Sequence, residues 1–328
     1  MIKNMQNYKY KFSVAPMLDW TDRHCRYFYR LMSPNVMLYT EMVTLGAIIY
    51  GKFDYLKFNL KEKPLSLQLG GSDPKQFKLA GEYIKDRGFT EINLNIGCPS
   101  ARVQKGSFGA CLMTEPDLVA ECVNVIHRET NLPITVKTRI GIDNEDNYEF
   151  LYNFIDTIDK KSICDTFVIH ARKAILSGLS PKENREIPPL KYDRVYKIKE
   201  DFHDKNIIIN GGIKNINDSI DHLKKLDGVM IGREVYQNPY ILTEIEREFY
   251  KSNNSPTRKE VVVSMMNYIE DELSNGAKLN HITRHMLGLF HGVPGGKKWR
   301  RFLSENSYKK DADLKVLENA LTLTEVNV

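Results

Sequence analysis

Short apolar runs recur along this chain and alternate with longer stretches of helical periodicity. Eight of the runs read as strands: Ser13–Leu18, Val36–Met42, Pro64–Leu69, Glu91–Ile96, Pro133–Ile140, Thr166–His170, Ile207–Asn210 and Gly228–Ile231. Helix-like segments lie between most of them. Asp73-Pro74 opens one, with proline in a first-turn position, and Thr114-Glu115-Pro116-Asp117 opens another, with a threonine cap and early acids. Ser180-Pro181 falls in a long loop instead. Strands that alternate with helices imply a parallel sheet, and eight such units imply closure into a (β/α)₈ TIM barrel. Near Tyr250 the pattern changes. Residues 251–257 are polar and turn-rich, a linker, and only helical periodicity follows. Val261, Val262, Met265, Met266 and Ile269 form one apolar stripe, and Ile282, Met286, Leu289 and Phe290 a second, with His281, Arg284 and His285 expected on the opposite, exposed face. The expected organisation is a barrel over residues 1–250 and an all-helical C-terminal domain over 257–328 with one basic side.

Composition narrows the class. The 328 residues are 42% hydrophobic and 27% charged, ordinary for a soluble globular protein, and no apolar run approaches the roughly 20 residues of a membrane span. Met1–Gln6 has no apolar signal region. Cys25, Cys98, Cys111, Cys122 and Cys164 are odd in number and form no CxxC pair, which argues against a disulfide framework or zinc site and for a reducing, cytoplasmic compartment. Net charge is only +5, but its distribution is uneven. Residues 273–304 contain no Asp or Glu, yet hold Lys278, Arg284, Lys297, Lys298, Arg300 and Arg301, and residues 171–199 carry eight Lys or Arg against three acids. Such clustering points to a polyanionic partner, with a solvated face as the competing explanation. His281 and His285 are four apart, like a metal pair, but no Glu lies between them as in H-E-x-x-H and no third ligand is evident, so no metal is expected.

Candidate chemistry gathers at the carboxyl ends of the strands, the rim where parallel α/β proteins place their active sites. Gly97 and Pro99 break the strand Glu91–Ile96 abruptly and leave Cys98 there. A thiol in that position can donate a proton or attack an electrophile, and with a reference pKa near 8.5 it is mostly protonated at neutral pH. A small core cysteine is the plainer alternative. Asn210-Gly211-Gly212 ends the seventh candidate strand and Gly232-Arg233 the eighth, the recurring phosphate-binding loops of such barrels, although glycine at strand ends is common in its own right. No G-x-G-x-x-G is present, so no resident dinucleotide fingerprint. Ala15-Pro16-Met17-Leu18-Asp19, Gln68, Lys137, Arg139 and His170 complete the mouth. Polar groups inside apolar strands are costly unless paired or functional. Lys105-Gly106-Ser107-Phe108-Gly109 reads as a mobile loop that closes over a bound substrate, or else as an ordinary surface loop.

Several of these segments together resemble the tRNA-dihydrouridine synthases, most closely the A-type bacterial subfamily: Ala15-Pro16-Met17-Leu18-Asp19-Trp20-Thr21-Asp22, Leu94-Asn95-Ile96-Gly97-Cys98-Pro99-Ser100, Gly109-Ala110-Cys111-Leu112-Met113, His170-Ala171-Arg172-Lys173-Ala174, Gly178-Leu179-Ser180-Pro181-Lys182-Glu183-Asn184-Arg185, Asn210-Gly211-Gly212, Gly232-Arg233 and Trp299-Arg300-Arg301. The resemblance implies an FMN-binding barrel that reduces the C5=C6 bond of D-loop uridines at positions 20 and 20a of tRNA, with NADPH as reductant. It implies that Pro16, Met17, Leu18, Gln68, Lys137 and His170 border the flavin ring. Asn210, Gly211, Gly212, Gly232 and Arg233 would hold its phosphate end, and Cys98 would be the proton donor. Asn95, Lys105, Lys182, Arg185, Lys297 and Arg300 would face RNA. A monomer is expected. Two rival readings stay open: an FMN barrel reductase of a small pyrimidine such as dihydroorotate, which needs neither the carboxylate-free stretch nor the extra helices, and an RNA-binding scaffold on an inactive barrel.

Overall fold

The computed structural model describes residues 10–324; Met1–Gln6, read above for a leader, and the last residues of the expected helical domain lie outside the described residues. Nine strands run parallel: β1 (Phe12–Val14), β2 (Leu38–Tyr39), β3 (Val43–Thr44), β4 (Leu65–Gly70), β5 (Glu91–Ile96), β6 (Ile134–Arg139), β7 (Thr166–His170), β8 (Asn206–Asn210) and β9 (Gly228–Ile231). Strands β2 and β3 both pair with β4 and share one position, so the barrel has eight. Closure is made at β1: β9 pairs on one side, and Met37 on the other exchanges backbone bonds with Phe12 and Val14, each 3.0 Å. Three of the expected strands match residue for residue, namely β5, β7 and β9.

Four details differ from the sequence reading. Of the expected strand Val36–Met42 only Leu38–Tyr39 forms, and a second short piece, Val43–Thr44, follows beyond it after Thr40–Met42. The first strand stops at Val14: Ala15 still donates its N–H to the Ile231 carbonyl at 2.8 Å, and the ladder ends at Pro16, which has no N–H to give. Thr114 is not a helix cap: its hydroxyl donates to the Cys111 carbonyl at 2.8 Å, and the helix Pro116–Thr130 begins after Glu115 without a side-chain cap. The second C-terminal stripe does not ride on one helix. Only Leu279–Thr283 is helical, and the chain then turns so that Gly288 lies flat against the Gln237 carbonyl, where a Cβ would sit 2.4 Å away.

Along β4 to β8, alternate residues face the barrel interior, and many of them are polar. Asn95 donates to Gln68 (2.9 Å), Gln68 to Asn93 (2.8 Å) and Asn93 to Thr135 (2.8 Å). At the floor, Glu91 accepts from Tyr10 (2.8 Å) and Tyr39 (3.2 Å). Met37, Val168, Ile208 and Met230 fill the remaining interior. The barrel's centre is therefore a polar ladder bonded from Asn95 to Thr135 and set in an apolar sleeve, with the buried Ser13 and Ser66 hydroxyls left outside it without a hydrogen-bond partner among the described residues. Each rung avoids a desolvation cost of about 1–3 kcal/mol for an unpaired buried group.

The C-terminal region packs its apolar stripe, Val261, Val262, Met265 and Ile269, into the same continuous core as the outer barrel helices. Arg258–Ser274 starts with a full capping box, Thr257 with Glu260. Trp299 is fully buried and donates to the Met286 carbonyl at 3.0 Å, which anchors the helix Gly296–Asn306.

Asn93→Ala removes the middle of the ladder and takes from Gln68 the acceptor of its amide N–H and from Thr135 one donor, both residues being 1% exposed. Urea unfolding is expected to show a loss of about 2–4 kcal/mol with an unchanged m-value.

Candidate active site

The Cys98 turn is held by its backbone. Asn95 accepts from the N–H groups of Gly97 (3.1 Å) and Cys98 (2.9 Å), bending the chain directly after β5. Arg139, at the end of β6, donates to the Gly97 carbonyl at 2.8 Å. The Cys98 carbonyl accepts from Ala110 at 3.0 Å. That last approach requires glycine at the neighbouring position: Gly109 has φ 76°, and a Cβ there would lie 2.6 Å from the Cys98 carbonyl oxygen. The thiol itself is half-buried, 3.5 Å from the Ser100 hydroxyl, and stands within electrostatic reach of Lys137, Arg139 and Arg185.

The interior of the mouth is cationic. Lys137 reaches across the barrel, past β7, to the Asn210 carboxamide oxygen at 3.2 Å, and Asn210 in turn donates to the Met230 carbonyl at 2.8 Å. Burial and the neighbouring Arg139 guanidinium push the Lys137 ammonium down to about 7. Arg139 itself is pushed down to about 10, by burial first. Burial and the cations Arg139, Lys137, Arg172 and Arg185 hold His170 well below the usual histidine range, so it is a neutral imidazole. Three basic groups in one desolvated mouth are an arrangement that an anion relieves.

Glycines open the adjoining wall. Gly211 and Gly212 have φ 111° and 76°, and a Cβ on Gly211 would strike the His170 ring at 2.4 Å. The Tyr192 hydroxyl holds the Gly211 carbonyl at 2.7 Å. Gly232 leaves only 3.6 Å from an added Cβ to Ala15 and 3.9 Å to the Met17 sulfur, so the loops after β9 and β1 form one continuous lip. On that lip Pro16 and Met17 are partly covered, and Leu18 is 66% exposed. Arg233 pairs with Glu186 at 2.8 Å, in the loop that also carries Lys182 and Arg185.

The structure thus brings Gln68, Lys137, His170, Asn210, Gly211, Gly212, Gly232 and Cys98 to one end of the barrel. Gln68 is fully buried and both ends of its amide are bonded within the ladder. Asn95, expected to face RNA, spends its carbonyl oxygen on the Cys98 turn and an amide hydrogen on Gln68. Lys105, Lys182, Arg185, Lys297 and Arg300 are exposed. His285, expected on an exposed basic face, is buried, whereas His281 and Arg284 are not. The Lys105–Gly109 loop is anchored rather than free: Phe108 is buried, and its ring lies where a Cβ on Gly70 would come within 2.8 Å. The sequence reading noted Arg139 without giving it a role; it also donates to the carbonyls of Lys173 (3.0 Å) and Asn184 (3.1 Å), so it ties three loops together. Its charge inside a strand was the available signal. Nothing local marked Asn184, which is fully buried and holds the Ser180–Arg185 loop through Ile175, Leu179 and Ser180. Among the described residues, no three His, Cys, Asp or Glu gather as a metal site, and no helix is long and apolar enough to cross a membrane.

Fold and site define a TIM-barrel enzyme with a rim thiol beside a cationic, glycine-walled mouth. Solved structures with similar folds are a 2-naphthoyl-CoA reductase complex (TM-score 0.57, 10% identity, 73% of this chain and 50% of that one) and morphinone reductase (TM-score 0.51, 10% identity, 76% and 88%). The family profile of dihydrouridine synthase (Dus) matches residues 13–325. Curated relatives named tRNA-dihydrouridine(20/20a) synthase are 59% identical over 315 residues in Escherichia coli O6:H1, covering 96% of this chain and 95% of the relative. The Vibrio cholerae protein of that name is 58% identical over 313 residues, covering 95% of each. The chain belongs to the dihydrouridine synthase family.

The Lys137 shift has a testable consequence. Its folded-state pKa lies below the unfolded value, so the unfolded chain holds the extra proton between about pH 7 and 10.5 and wild-type stability rises with pH across that window. Relative to Lys137→Met, the apoprotein is expected to gain a few kcal/mol from pH 7 to 10 in chemical denaturation, with the penalty fully present below pH 7.

Proposed function

We propose that this protein reduces the C5=C6 bond of D-loop uridines in tRNA, at positions 20 and 20a, with FMN as its bound flavin and NADPH as the reductant. The observation that carries this reading is near-full-length similarity to relatives bearing the name tRNA-dihydrouridine(20/20a) synthase. The site supplies a physical rationale. Pro16, Met17, Leu18, Gln68, Lys137 and His170 would border the flavin ring, and Asn210, Gly211, Gly212, Gly232 and Arg233 its phosphate end. The mouth fits that group: exposed glycine backbone for a phosphate, and a lysine whose lowered pKa leaves it ready to take up a proton beside an anionic ring. When bound, reduced flavin supplies a hydride to C6 of the uracil.

Cys98 delivers the proton to C5. Asn95 and Arg139 fix the turn that aims it, so that little reorganisation is needed when the base enters. A uridine from folded RNA reaches such a mouth only when turned out of its stack, at a cost of a few kcal/mol. Phosphate contacts from residues 257–328, which we assign as the RNA-binding domain, offset that cost. The helix Gly296–Asn306 carries Lys297 and Lys298 in its first turn, followed by Arg300 and Arg301, and Lys297 and Arg300 are exposed. Cations at a helix N-terminus oppose the macrodipole by about 0.3–1 kcal/mol each. An arrangement that costs stability there is explained by a phosphate, which both the lysines and the open N–H groups attract. Lys105, Lys182 and Arg185 extend the basic surface to the rim.

The direct test is an unmodified tRNA transcript incubated with protein, FMN and NADPH, followed by mapping of modified positions. Dihydrouridine at 20 and 20a is expected. Unchanged RNA, or reduction of free pyrimidines alone, contradicts the reading. Lys297→Gln and Arg300→Gln are each expected to lower tRNA affinity and to reduce the slope of log affinity against log salt by about 1, while NADPH still reduces the flavin at the wild-type rate.

A further inference from the structure

The carboxylate missing from residues 273–304 is supplied from the other end of the chain. Asp22 caps the helix Arg23–Met32 with one oxygen, which accepts from the N–H groups of His24 and Cys25, both at 3.0 Å. Its other oxygen accepts from Arg284 at 2.7 Å and lies 3.0 Å from Nε2 of the buried His285. The second nitrogen of His285 is 3.3 Å from the Tyr236 hydroxyl. The Tyr236 ring stacks on Trp20, centroids 4.3 Å apart and planes 15° apart.

These four contacts join three places. Trp20 belongs to the loop after β1, whose Met17 carbonyl is held by Trp20 (3.1 Å) and Thr21 (2.9 Å). Tyr236 lies on the helix Arg233–Gln237, which starts at the proposed phosphate lip. Arg284 and His285 belong to the C-terminal region, ahead of the basic helix Gly296–Asn306 anchored by Trp299. Burial works against the Asp22 carboxylate, yet bonds from His285, Cys25 and Arg284 hold it well below the usual carboxylate range, so the clasp is charged at neutral pH. Nearby, Arg23 pairs with Glu272, and His24 bonds Tyr268 at 2.7 Å, so the contact face itself does not depend on Asp22.

We infer that Asp22 is a positioning residue: through Arg284, His285, Tyr236 and Trp20 it sets the register of the RNA-binding region on the flavin-bordering loops, so that a captured uridine arrives over the ring. The inference rests on the functional reading above. Both Asp22 oxygens are engaged inside the protein, one by the helix cap and the other by Arg284 and the His285 ring, whose Nε2 also lies 3.1 Å from Arg284 Nε, so Asp22 acts through these partners. Its effect is on the geometry of capture, and a misplacement of about 1 Å at a reacting centre costs on the order of 10²-fold in rate.

Asp22→Asn tests this cleanly, because asparagine caps a helix as well as aspartate does and is nearly the same size, while the charge that holds Arg284 and His285 is lost. In the flavin-loaded full-length variant, kcat for uridine reduction is expected to fall at least tenfold. The KM for tRNA should change less than threefold, and the rate of flavin reduction by NADPH should not change. Arg284→Met should show the same split, and the double variant should be no slower than the worse single one. A merely structural role would lower the thermal midpoint and slow both half-reactions together. Equal kcat in wild type and Asp22→Asn overturns the inference, as does a loss confined to KM. A wild-type protein that leaves tRNA uridines untouched overturns instead the functional reading beneath it.

Discussion

The arrangement depends on one buried constraint, the polar ladder that runs up the inside of the barrel and ends at Asn95. An apolar interior would pack as well, but it could not deliver two acceptor bonds to the backbone of a turn at the rim. Because Asn93 and Gln68 are fully buried and satisfied, Asn95 has a fixed neighbour and its carboxamide a fixed direction. That direction bends the chain at Gly97, and Arg139 locks the bend from the adjoining strand. The thiol is half-exposed, yet the backbone that carries it is held by Asn95, Arg139 and Ala110. Strands, not loops, set its position, which is how a site reaches sub-ångström precision.

The same mouth stores electrostatic cost. Burial and Arg139 hold Lys137 below its ordinary range, burial with Arg185 and Arg172 does the same to Arg139, and His170 is kept neutral among cations. A barrel selected for stability alone would not gather these groups. On the proposed function an anionic flavin recovers that cost on binding, which links cofactor and fold thermodynamically. Glycines at Gly211, Gly212 and Gly232 keep the wall open to that anion.

Much of this was legible in the sequence. Strand β5 and its Gly-Cys-Pro ending, the Gly211-Gly212 pair after β8, Gly232 after β9, and the helical C-terminal region all follow from local pattern. The contacts that tune them are not local. Asp22 meets Arg284 across 262 residues, so a stretch without acids read as wholly free positive charge when part of it is paired. His285 read as exposed because the helical period was extended through residues 284–290, where Gly288 instead packs against Gln237 and the chain turns. The resemblance alone placed Asn95 toward RNA; its bond to Gln68 and its part in the Cys98 turn were not visible in the sequence. Phe108 is the loop residue expected, but its burial was not legible, because nothing in the sequence says that Gly70 leaves room for its ring.

The most direct measurement is a single turnover. Protein loaded with FMN and reduced beforehand is mixed, without oxygen, with an unmodified tRNA transcript, and flavin oxidation is followed alongside the mass of the D-loop nucleosides. The account predicts one flavin oxidised for each uridine that gains two mass units, and for Cys98→Ala a rate lower on the order of 10²-fold with flavin and tRNA still bound. Flavin that stays reduced in the wild type, or Cys98→Ala that converts uridine at the wild-type rate, contradicts it.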